Sequence, residues 1–71
     1  MHKAEAQNIL NATLSLNVGI GTIDNVITNM PEGNEKKVWI QKLGGLIGYI
    51  ANEIQMPIVR EYPDLDPYPK P

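Results

Sequence analysis

Residues 38–54 read VWIQKLGGLIGYIANEI. Within them Ile40, Leu43, Ile47, Ile50 and Ile54 are spaced 3, 4, 3 and 4 apart. An α-helix turns once in about 3.6 residues, so this spacing puts all five side chains on one face. Gly44, Gly45 and Gly48 lie among them and remove bulk where another element must come close. The stretch predicts a helix with an apolar stripe, and the rest of the chain reads as what packs against it.

Upstream, Ile9, Thr13, Leu16, Ile20, Ile23, Ile27 and Met30 repeat the alternation, at spacings of 4, 3, 4, 3, 4 and 3. That pattern predicts a helix over about 3–30. A strand signal competes with it, because Leu14, Leu16, Val18 and Ile20 alternate with Ser15, Asn17 and Gly19. The strand period covers only seven residues and no second strand is available to pair with it. An unpaired strand would leave its backbone groups unsatisfied, so the helix is preferred.

Pro-Glu-Gly-Asn at 31–34 punctuates the chain. Pro31 cannot continue a helix, Gly33 can take a positive φ, and Asn34 suits the N-cap of a second helix over about 35–56. So short a connection makes the two helices antiparallel neighbours. Pro57 is expected to stop the second helix. The segment 57–71, PIVREYPDLDPYPKP, holds five of the six prolines and is expected to be an extended tail. Tyr62, Leu65 and Tyr68 supply it with anchoring side chains.

Two features connect the halves. In a hairpin turning near residue 33, facing residues have numbers summing to roughly 66. Gly19 and Gly21 then face Gly44, Gly45 and Gly48, which suggests a close helix crossing that recovers the cost of about 1 kcal/mol per glycine. Charge supplies the other feature. No charged residue lies between Glu5 and Asp24, or between Lys42 and Glu53. Both neutral stretches fall in the same half of the hairpin, which reads as an interface. The residues assigned to it are Leu10, Leu14, Val18, Gly19, Gly45, Leu46, Gly48 and Tyr49.

Composition limits the function. A chain of 71 residues is one domain at most and buries only ~60% of its unfolded surface. It has no Cys, so neither disulfides nor thiolate metal sites can support it. Self-association is the remaining support, and a homodimer forming a four-helix bundle is expected. Net charge is −2 with no basic block, which argues against nucleic acid. No run of 18 apolar residues is present, so no spanning helix is expected. MHKAEAQN lacks the layout of a signal peptide, and a cytoplasmic location is expected.

No catalytic, cofactor or metal constellation emerges. His2 has no placed partner, Ser15 has no neighbouring base, and Asp64 and Asp66 lie on a segment that does not order them. The glycine clusters fall inside helical patterns rather than after strands, unlike phosphate-binding loops. The reading is a non-enzymatic, all-α interaction or regulatory protein. It would act through a homo-oligomeric surface, and through its tail on an unidentified protein partner. The alternative is a membrane-active helix around KVWIQKLGGLIGYI, which the scarcity of Lys and Arg disfavours.

Overall fold

The computed structural model of the chain describes residues 1–67. These are all-helical, with no strand among them. The order is α1 (Lys3–Ser15), α2 (Asn17–Thr28), α3 (Asn34–Tyr49), a π-helical turn (Ile50–Gln55), α4 (Met56–Glu61) and a 3₁₀ turn (Pro63–Leu65). α1 and α2 form one arm of a hairpin, and α3, the π turn and α4 form the other. α2 packs on α3, while α1 packs on the π turn, as an antiparallel return requires.

The first arm is interrupted rather than continuous over 3–30. At Leu16 the backbone N–H donates to the Thr13 carbonyl at 3.2 Å, a three-residue step. Such a tightened turn shifts the helical phase. Thr13, Ile20, Ile27 and Met30 of the expected stripe are turned inward to differing degrees, whereas Ile9, Leu16 and Ile23 stay exposed. Ala6 and Leu10 take the inner positions of α1 instead. The start of α1 is held by Glu5, whose Oε1 accepts the His2 backbone N–H at 2.7 Å.

The connection works largely as expected. Gly33 has φ 152°, a conformation that side chains with a Cβ rarely adopt. It takes the N-cap position itself, so Asn34 is the first residue of α3 rather than its cap. Lys36 reaches back across the turn. Its Nζ donates to the Thr28 carbonyl at 3.2 Å and to Glu32 Oε1 at 2.7 Å. A cation at the end of α2 satisfies a carbonyl there and complements the helix dipole.

Pro57 does not stop the second arm, and residues 57–61 are helical, not extended. The reason is the π turn that precedes it. Proline cannot donate to the carbonyl four residues back and its ring crowds that carbonyl. Here the Met56 N–H already bonds the Ala51 carbonyl, a five-residue step, and Pro57 enters α4 in its first turn. The wider turn has a second effect. Side chains four apart drift about 40° per step on an α-helix. A turn holding more residues offsets that drift. Ile50, Ile54, Ile58 and Tyr62, each four apart, therefore stay aligned toward the first arm.

The core is small. Ala6, Leu10 and Ile58 form its centre, with Ile54, Tyr62 and Leu65 packed against it. Thr13 is buried beside it and is fully bonded, its Oγ1 donating to the Leu10 carbonyl at 2.7 Å and accepting from Gln55 Nε2 at 3.0 Å. Ile27 and Ile50 are the other buried apolar residues.

The close glycine crossing is absent. A Cβ added at Gly19, Gly21, Gly44, Gly45 or Gly48 would meet no heavy atom of another element within 4 Å. Gly45→Ala and Gly45→Leu should therefore each raise stability by about 0.5–1 kcal/mol through helix propensity. Gly33→Ala should lower it by about 1–3 kcal/mol through backbone strain. Thermal melts of the three variants check both signs, and a loss at Gly45 would restore the close crossing.

Candidate interaction surface

The body measures 45 × 27 × 17 Å, so its shortest dimension is about one and a half helix diameters. Its radius of gyration is 14.9 Å, against about 11 Å for a compact chain of this length. Its accessible surface is 5406 Å², where scaling from 7.9 kDa gives about 4,400 Å². Val18, Val26, Trp39, Ile40, Leu46, Ile47 and Tyr49 all remain exposed.

One patch of this surface is concave. Thr22, Ile23, Val26, Ile27 and Met30 of the first arm and Trp39 of α3 line a groove of about 450 Å³. On α2 the residues Gly19, Ile23 and Val26 are spaced 4 and 3, which makes them one stripe, and Met30, two residues past the end of α2, lines the groove beyond them. Asp24 is the single charge of α2 and lies about 160° round the helix from Val26. Trp39 forms the opposing wall, with the Lys42 Nζ 5.4 Å from its ring centroid. Leu46, two turns further along α3, extends the Trp39 side.

The residues assigned from sequence are divided by the fold. Leu10 is fully buried against Ala6 and Ile58 and belongs to the core, not to an outward surface. The expected stripe of α1 was out of phase there, because the break at Leu16 was not visible. Leu14 is half-buried, and Val18, Gly19, Gly45, Leu46 and Tyr49 are exposed, with Gly48 intermediate. They do not form one patch: Gly19 and Leu46 flank the groove, whereas Val18 and Gly45 lie on outer faces. Ile23, Val26, Met30 and Trp39 were not assigned to a surface. The pairing sum of about 66 that placed the glycines also sets Trp39 opposite Ile27, and that signal was present.

Tyr62 and Leu65 are occupied by the chain's own core. Tyr62 also donates its phenol O–H to the Met1 carbonyl at 2.8 Å. Burial first, and the adjacent Glu61 carboxylate second, hold its pKa above the usual phenol value. Lys3 pairs with Asp64, so the C-terminal segment is tied to the start of α1 at two points. Tyr68, the third residue assigned to the tail, lies outside the described residues. Among the described residues no group of three His, Cys, Asp or Glu is placed to hold a metal ion, and no helix is long and apolar enough to cross a membrane.

The geometry thus defines a class, an all-α helical hairpin with an apolar groove along one side. Comparison with family models, with curated proteins and with solved structures finds no match to this chain.

Ile58→Ala empties the centre of the small core and should cost about 2–5 kcal/mol, read as a lowered unfolding midpoint in urea. Acid should loosen the segment as well. The Lys3 partner lowers the Asp64 pKa, so its contribution is present above the ordinary carboxylate range and is lost as pH falls through the depressed value. Asp64→Asn should therefore lower the neutral plateau slightly and flatten the acid limb of a stability–pH curve by the same small amount, since an exposed pair contributes little.

Proposed function

We propose that this chain is a non-enzymatic helical interaction or regulatory protein that works as a homo-oligomer, two hairpins completing a four-helix bundle. The observation that carries the reading is a two-helix hairpin, with no second layer among the described residues, whose exposed side chains include Trp39, Val26 and Leu46. Domains are normally two packed layers around a core. A single layer leaves an apolar side with nothing on it, and a second layer from another copy is the simplest cover. Small size and the lack of cysteine point the same way.

The C-terminal segment has a structural role within this reading. Ile58, Tyr62 and Leu65 close the open end of the hairpin. Recognition of a further protein partner by the tail then rests on residues beyond them. Membrane activity is the weaker alternative, because the groove side carries Lys42 alone as a cation while surface-active helices are rich in Lys and Arg.

Light scattering across the micromolar range should give at least twice the 7.9 kDa chain mass. The melting midpoint should rise with protein concentration, since assembly and folding are coupled. A helical monomer at every concentration would sink the proposal. Co-sedimentation of that monomer with vesicles would favour the membrane reading instead.

A further inference from the structure

We infer that the groove between α2 and Trp39 is the face on which a second copy of this chain sits. This rests on the homo-oligomer reading above and names its contact surface. Sequence alone placed the contact elsewhere, at Leu10, Val18 and the glycines.

Area, exposure and charge select a second copy as the occupant. The chain exposes roughly 1,000 Å² more than a compact chain of its mass, and a standard interface takes about 800 Å² from each partner. The surplus therefore matches one protomer's share. Val26, Trp39 and Leu46 are all exposed in the single chain, so a partner can reach this side. Charge narrows the choice further. The α2 wall is neutral, and the Trp39 side of α3 carries Lys42 over the ring and Glu35 one turn before it, one charge of each sign. A nucleic acid or an anionic membrane would need several cations there. A second copy brings a wall of matching neutral character.

The arrangement is self-complementary. In a two-fold pair, the Ile23–Val26 stripe of one protomer lies across Trp39 and Leu46 of the other, and the reverse contact follows by symmetry. Trp39 is half-exposed and stands at the edge of a cavity of about 450 Å³, large enough to receive a side chain from the partner. Tryptophan in such a position carries much of an interface's affinity. Lys42, over the ring, stays at the rim with its ammonium in water.

Trp39 is the only tryptophan, so its fluorescence reads this face directly. Emission should move to shorter wavelength as concentration rises, with a midpoint equal to that of the mass transition from light scattering. Val26 is 63% exposed in the single chain, so Val26→Glu should leave the hairpin folded. A carboxylate introduced twice at the contact should weaken the dimer by about a hundredfold or more. Val18→Glu, on the outer edge of α2, and Ile40→Glu, on the opposite flat side of α3, should leave the dissociation constant within a few-fold of the parent. Helicity by circular dichroism is recorded for each.

The outcomes separate the two claims. A parent chain that remains monomeric overturns both the oligomer reading and the groove assignment. A dimer whose Trp39 emission does not change, or which survives Val26→Glu and is broken by Ile40→Glu or Val18→Glu, overturns the groove assignment alone and leaves the oligomer reading standing.

Discussion

The contact of Ile58 with Ala6 and Leu10 is what the hairpin depends on. The two arms are joined covalently only at the Pro31–Gly33 end. At the far end a hairpin of this length is free to splay unless apolar side chains meet there. Ile58 is nearly fully buried, and the residues packed round it come from α1, the π turn, α4 and the 3₁₀ turn. Removing surface of this kind from water is worth about 25 cal/mol per Å², and few other sites in the chain contribute to that term. Gln55 and Thr13 add a hydrogen bond across the arms, next to the same cluster.

That contact exists because of how the second arm passes Pro57. An ordinary helix would either end at the proline or turn Ile58 away from the first arm. The π turn avoids both outcomes. It removes the need for a donor at residue 57 and realigns the side chains that are spaced by four. A proline, read locally as a stop, is here the point about which the chain's last apolar residues are aimed at its first helix. Tyr62 and Lys3–Asp64 then hold the segment to the N-terminus.

Closing the far end does not cover the middle. Between Ile20 and Trp39 the two arms lie side by side as a single layer. Their inward faces meet, but the flanks bearing Val26, Trp39 and Leu46 stay exposed. This is the physical origin of the interaction reading: the chain has more apolar side chains than one hairpin can enclose.

The sequence by itself determined that the chain is helical and that it reverses near Gly33. Periodicity, turn chemistry and charge spacing are local properties, and local patterns fix element type well. Only the tertiary structure decided which side of each helix faces in. Leu10 reads as readily for an outer stripe as for an inner one until the break at Leu16 resets the phase of α1. Five glycines at one level read as a close crossing until the packing of the arms leaves open space beside each of them. Pro57 reads as an end until the π turn relieves it. In each case the deciding quantity is the rotation of a helix about its own axis. That rotation is set by the side chains it meets on another element, not by the order of its own residues.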